Sequence, residues 1–283
     1  MTITSFDSII SSISSGKSRK AIFQKASSNG ATSAAGRFHE LFTATGIPAA
    51  GTFSGTAGVA TVMNASTAGA LSIPSTVSPD IMHLLNINAF SPTATGVPSR
   101  LILCDFLLYY PSCVVTGTPT TLNNAATLPR YTDGQGVQAI IAVQSALGAA
   151  SPALTLSYTD QSGNTGNSAA AHTSPAVSAS ISTLFQTSGA PFLQMVGADS
   201  GIRKIDSYTL ASGTTGTVAF ILVKPLAEIP LAVVNTTVGQ NMLAEIPSLP
   251  KIEDGACLGF IMLTGNAMVT ACSFQGSAEF VWG

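Results

Sequence analysis

The chain has 283 residues and a formal net charge of −2, with 46% hydrophobic but only 8% charged residues, where roughly 25% charged is usual for soluble domains. A folded monomer of this size would expose on the order of 11,000 Å², so each charge would serve roughly 450 Å² of surface. The apolar content is ample for a sizeable core in one large β domain or two small ones, and the thin charge cover favours association over a free monomer.

At the start, Met1-Thr2-Ile3-Thr4-Ser5-Phe6-Asp7, no basic stretch precedes an apolar one, so no secretory signal is expected. Ile3, Phe6, Ile9, Ile10 and Ile13 recur at helical spacing, with Thr2, Thr4 or Ser5 placed to cap, and predict a first helix. Further short helices are predicted over 19–25 and 37–42. Lys17, Arg19, Lys20, Lys25 and Arg37 are opposed only by Asp7 and Glu40 within the first 40 positions. Residues 1–45 are therefore expected to form a basic, partly helical N-terminal arm. Three readings of that arm stay open: a solvated helical face, docking onto another protein through the isoleucines, or neutralisation of phosphates. Five dispersed cations without an arginine run make nucleic acid an unlikely partner.

Residues 46–98 are rich in Gly, Ala, Thr and Ser. They are expected to lie extended across another surface, because they have little side-chain volume to bury. Within them Ser78-Pro79-Asp80 has the cap, first-turn proline and first-turn acid of a helix, which predicts a short helix near 79–90.

Beyond Ser99 short apolar or alternating runs are bounded by Gly, Pro, Asn and Asp. Strands are predicted near 100–110, 137–147, 153–158, 192–196, 204–210, 217–223, 231–234, 256–263 and 267–281, with hairpin links at 159–168 and 211–216. The apolar stretch 218–234 is interrupted by Lys224-Pro225, Glu228 and Pro230, which makes it strand material and not a membrane span. Regular strand spacing without strongly amphipathic helices between argues against βαβ units. It predicts a mainly β fold, with an antiparallel, jelly-roll-like β-sandwich over 99–283.

Motifs that carry chemistry fail on context. Gly16-Lys17-Ser18 ends like a phosphate loop, but Ser11 stands where the first glycine belongs and a helical pattern precedes it. Gly134-Gln135-Gly136-Val137-Gln138-Ala139 opens a strand-like run, not the helix of a dinucleotide site. Cys104, Cys113, Cys257 and Cys272 lack paired spacing and are expected to be free buried thiols. His39, His83 and His172 have no partner at metal-ligand spacing, and Asp133, Asp199 and Asp254 read as turn formers. No catalytic residue, cofactor or metal is expected. One loop stands out: Arg130, Tyr131 and Asp133 gather two charges and an aromatic ring in a chain otherwise nearly free of charge. The loop is read either as a protein contact or as an internal tether from Arg130 to Asp133 or to carbonyls.

Three runs carry a resemblance: 101–111 (Leu-Ile-Leu-Cys-Asp-Phe-Leu-Leu-Tyr-Tyr-Pro), 126–138 (Ala-Thr-Leu-Pro-Arg-Tyr-Thr-Asp-Gly-Gln-Gly-Val-Gln) and 154–163 (Leu-Thr-Leu-Ser-Tyr-Thr-Asp-Gln-Ser-Gly). In strand-and-turn texture the chain, over about 99–170, resembles structural proteins of tailed bacteriophage particles, of the capsid decoration or cement type. The resemblance implies a non-enzymatic homo-oligomer, expected as a trimer, seated on a head shell of major capsid protein. The particle would be assembled in the host cytoplasm, without a membrane partner. Alternatives are a tail, collar or fibre component, and a surface adhesin or carbohydrate-binding sandwich.

Overall fold

The structure, a computed structural model, describes residues 3–26, 35–114, 117–147, 153–169, 172–173, 182–186, 190–210, 215–245, 249–267 and 272–283. In chain order the elements begin with α1 (Phe6–Ser14), β1 (Ser18–Ala26), β2 (Phe38–Glu40), β3 (Gly46–Ile47), β4 (Thr61–Val62) and β5 (Met82–Phe90). A 3-10 turn (Ala94–Gly96) leads to β6 (Ser99–Val114), β7 (Thr120–Thr121), β8 (Gln138–Ser145), β9 (Ala153–Asp160), β10 (Asn167–Ser168) and β11 (His172–Thr173). The chain continues through β12 (Ile202–Leu210), β13 (Thr217–Leu231), β14 (Val238–Asn241), α2 (Met242–Glu245), β15 (Lys251–Ile252), β16 (Leu258–Thr264) and β17 (Ser273–Trp282).

The fold is mainly β, built of antiparallel sheets in a sandwich-like arrangement. The first sheet runs β14-β5-β17-β1-β3 with β15 also on β5. The second runs β10-β9-β12-β7 with β11 on β9, and the third β2-β16-β6-β13-β8 with β4 on β6. The third sheet is central, because its strands β6 and β13 are long enough to underlie both of the others. On one face Leu101, Leu103, Ile229 and Phe260 pack with Phe23, Leu84 and Phe280 of the first sheet. Farther along, Tyr110, Phe220 and Leu222 pack with Leu154, Tyr158 and Ile205 of the second. The opposite face, with Ile102, Phe106 and Ile221, is closed by Phe38, Phe42, Phe53, Met63 and Leu184. A strand buried on both faces reads as an unbroken apolar run, which is why β6 was legible as a strand.

Several expectations for the first 98 residues are corrected. Residues 19–25 are strand, not helix: Ala21, Phe23 and Lys25 point inward and Lys20, Ile22 and Gln24 outward. β1 pairs along all nine residues with β17, from Ser18 opposite Val281 to Ala26 opposite Ser273. Residues 38–40 are also strand, and Phe38 and Phe42 fill the core of the central sheet. Ser78-Pro79-Asp80 closes a turn, with the Asp80 N–H donating to Val77 O at 2.9 Å. Residues 82–90 then alternate as a strand, with Met82, Leu84, Ile87 and Ala89 buried.

The Gly/Ala-rich stretch belongs to the body of the protein. Phe53, Ala60, Met63 and Leu71 are buried, and at Gly51 a Cβ would lie 2.2 Å from the Phe42 ring, so small residues here permit a close approach. Strands from 1–98 and from 99–283 therefore share sheets, and no structural boundary falls at Ser99.

After Ser99 the strands largely follow expectation, with three differences. Residues 192–196 are not strand, although Leu193 N donates to Ala139 O at 2.8 Å. The strand predicted at 217–223 runs on as far as Leu231, with β13 passing through Pro225 and Pro230 and a register shift at Pro225/Ala227. Residues 232–234 then lie outside any strand. The 159–168 turn is a hairpin, but 211–216 links strands of two different sheets. All four cysteines are free and buried.

Candidate assembly surface

The first helix forms as its spacing predicts. Ser5 caps it, its side chain accepting from Ser8 N at 3.1 Å while Ser8 Oγ accepts from Ser5 N at 3.1 Å. The helix packs against β17, whose outward Val281 is fully buried. At about 100° per residue the apolar positions form a broad face, and the sheet covers only one edge of it. Ile9 is buried and Ile3 half-buried. Phe6 (64% exposed), Ile10 (48%) and Ile13 (44%), one and two turns apart on one stripe, face away from the protein. On the same outer side of the first sheet Ile22 is 67% exposed, and Ile47, opposite Gln24 in the β1–β3 ladder, is also exposed.

The basic residues of this region do not form a free cationic tether. Lys17 Nζ is 2.6 Å from Asp80 Oδ2, and Lys20 Nζ is 3.0 Å from Glu279 Oε1 across the β1–β17 ladder. Arg19 reaches Ser72 Oγ at 3.4 Å. Lys25 points into the protein and donates to the carbonyls of Ala44 (3.1 Å), Pro48 (2.8 Å) and Ala49 (3.5 Å), tying down the loop that carries β3. Burial pulls its ammonium down to about 8, against the attraction of Glu40. Glu40 is itself buried, accepts from Thr43 N at 2.9 Å and from Thr43 Oγ1, and has its carboxyl pushed up by desolvation.

The 128–136 loop is anchored inward. Arg130 is 7% exposed and grips Asp105 of β6 with two parallel bonds, Nε to Oδ2 at 2.8 Å and Nη2 to Oδ1 at 2.7 Å. It also donates to Met63 O at 3.2 Å and Phe106 O at 3.0 Å, while Asp105 Oδ1 accepts from Cys257 N at 2.8 Å. The tether reading holds, with Asp105 in place of the expected Asp133, and Arg130 is not available as a surface contact. Tyr131 is half-buried, with Lys224 Nζ 5.4 Å from its ring centroid. Asp133 is exposed and its carboxylate accepts from Gln135 N at 3.1 Å, shaping the turn. Of the candidate contact residues, the structure thus gathers Phe6, Ile10 and Ile13 on one outward face, engages Lys17, Lys20, Lys25 and Arg130 within the chain, and leaves Asp133 at a separate turn.

Sequence reasoning noted His39 only as lacking a partner at metal-ligand spacing and did not foresee its burial. It is fully buried in β2 with neither ring nitrogen hydrogen-bonded among the described residues, and burial pulls its pKa down to about 4. The unfolded chain binds this proton near pH 6.5 and the folded chain only near 4. The stabilisation is therefore complete above pH 6.5 and is lost as pH falls toward 4, by up to about 3 kcal/mol. His39→Leu is expected to flatten that acid slope in urea titrations between pH 4 and 7, whereas an unchanged slope would assign it to other groups. Among the described residues no cluster of three or more His, Cys, Asp or Glu is placed to hold a metal ion. No helix among them is long and apolar enough to cross a membrane.

No protein-family model matches the chain, and no curated protein or solved structure matches it either.

Proposed function

We propose that the chain is a non-enzymatic structural subunit of a virus particle, of the bacteriophage capsid decoration or cement type, which associates with copies of itself and with the shell's major capsid protein. The observation that carries this reading is the outer side of the first sheet. There Phe6, Ile10 and Ile13 stand exposed on α1, with Ile22 and Ile47 exposed on the strands of the same side. A short serine-rich helix gains little from leaving three large apolar groups in water, and such an outward stripe suits burial by a neighbour. Lys17 and Lys20 nearby are paired within the chain, so attachment through this side draws on apolar burial, at roughly 1.5–3 kcal/mol per large side chain before ordering costs. Exposed ion pairs give about 1 kcal/mol at most and are screened by salt. A patch of three to five side chains is small beside a standard interface of about 800 Å² per partner, which suits a subunit held by many repeated contacts on a symmetric shell.

The test combines light scattering with co-sedimentation on empty shells. The wild-type chain is expected to be a homo-oligomer, a trimer in the favoured case, and to bind shells at both low and high salt. Phe6→Ser/Ile10→Ser/Ile13→Ser should keep its stability within about 0.5 kcal/mol, because these side chains face outward, and should lose attachment. Attachment that survives the triple variant but vanishes in high salt would replace the apolar account with an electrostatic one.

A further inference from the structure

The second sheet carries a cleft of about 440 Å³, bounded by the 124–132 loop, the 163–165 turn and β12. Its volume lies within the range of small-ligand sites. In a chain with only 11 Lys and Arg residues, two adjacent ones, Arg203 and Lys204, line it. Neighbours on a regular strand point to opposite faces. Here the β12–β9 register slips between Ile202, opposite Asp160, and Lys204, opposite Thr159, and the extra residue in the ladder brings both side chains to one cleft.

The walls are held in place. Gln161 O accepts from Arg203 Nε at 3.1 Å and Nη2 at 2.6 Å, and Asp133 O also accepts from Nε at 3.1 Å. The turn that carries Gln161 is closed by Asp160, which accepts from Ser162 N, Asn164 N and Asn164 Nδ2 at 2.8–2.9 Å. Lys204 Nζ is 3.1 Å from Asp206 Oδ1, and Thr159 Oγ1 donates to the same carboxylate. Arg203 and Lys204 are the charged residues in its lining, with Asp206 paired to Lys204 beside it, and Thr127, Thr132 and Thr165 complete a polar wall.

We propose that this cleft binds an acidic sugar residue: a small, hydroxyl-rich molecule with one carboxylate. The Arg203–Lys204 pair receives the carboxylate, and the threonine hydroxyls exchange hydrogen bonds with the ring hydroxyls. A monoanionic carboxylate can share Lys204 with Asp206, whereas a phosphate dianion would set two further negative charges against that carboxylate. The site lies on the second sheet and is independent of the assembly surface on the first.

The probe is glucuronate, titrated into the full-length protein and followed by saturation-transfer NMR, with glucose and inorganic phosphate as controls. Glucuronate is expected to bind saturably and at least about tenfold more tightly than either control. Lys204→Gln should weaken it about tenfold, and Thr132→Val should weaken it by a smaller factor. Arg203 also supports the loops, so Lys204→Gln, whose side chain is partly exposed, is the decisive variant. Glucose binding equally well, phosphate binding more tightly, affinity unchanged in Lys204→Gln, or no saturable glucuronate binding would each overturn the assignment.

Discussion

Replacing Arg130 by alanine is expected to destabilise the protein by about 3–5 kcal/mol, because it strands the carboxylate of Asp105 inside the central sheet. Asp105 has no exposed surface, and its neighbours on β6 are apolar. Without the guanidinium it keeps, among the described residues, the Cys257 N–H alone, and the carbonyls of Met63 and Phe106 each lose a donor as well. Arg130→Lys should recover little, since one ammonium cannot reproduce two parallel bonds and two carbonyl contacts. Urea unfolding monitored by circular dichroism measures both, and a loss below about 1 kcal/mol for Arg130→Ala would mean that the pair is solvated or dispensable. Oligomers formed by whatever protein remains folded should be normal, which separates a tether from a contact residue.

Deleting residues 1–26 is expected to abolish folding. A detachable arm would leave a stable remainder, but β1 is the partner of β17 along its whole length and carries Ala21 and Phe23 into the shared core. Phe23→Ala alone should cost about 3–5 kcal/mol, a large share of the roughly 5–15 kcal/mol available to a typical domain. Losing the strand adds an unpaired β17 edge to that deficit. Removing only residues 1–15 should leave a folded protein of lower stability, since α1 contributes Ile9 and the cover over Val281. A cooperative, near-wild-type transition in the 27–283 fragment would contradict the assigned pairing.

What the sequence made legible was whatever its local pattern determines. The isoleucine spacing and Ser5 are enough to define α1, and the apolar runs around β6, β8, β13 and β16 read as strands because burial on both faces leaves no room for polar residues. β1 was missed because Ala21-Ile22-Phe23 is compatible with either period, and the deciding partner lies some 250 positions away. β5 was missed because Ser78-Pro79-Asp80 has the chemistry of a helix start, which here serves a turn. In the loop the charge of Arg130 drew notice, but its partner did not. A signal was available: one aspartate inside Leu-Ile-Leu-Cys-Asp-Phe-Leu-Leu has to find a buried cation or donors. Arg203 and Lys204 share a cleft only because of a ladder irregularity that no local pattern announces.

The pairing of first and last strands also sets an order of events during synthesis. At about 5–20 residues per second, roughly 10–50 s separate the emergence of β1 from that of β17. Throughout that interval Phe23 has no sheet to enter and the first sheet lacks the strand that joins its two halves, since β17 stands between β5 and β1. A polypeptide released before Ser273 cannot close this sheet, because β5 and β1 are both left without the strand that lies between them.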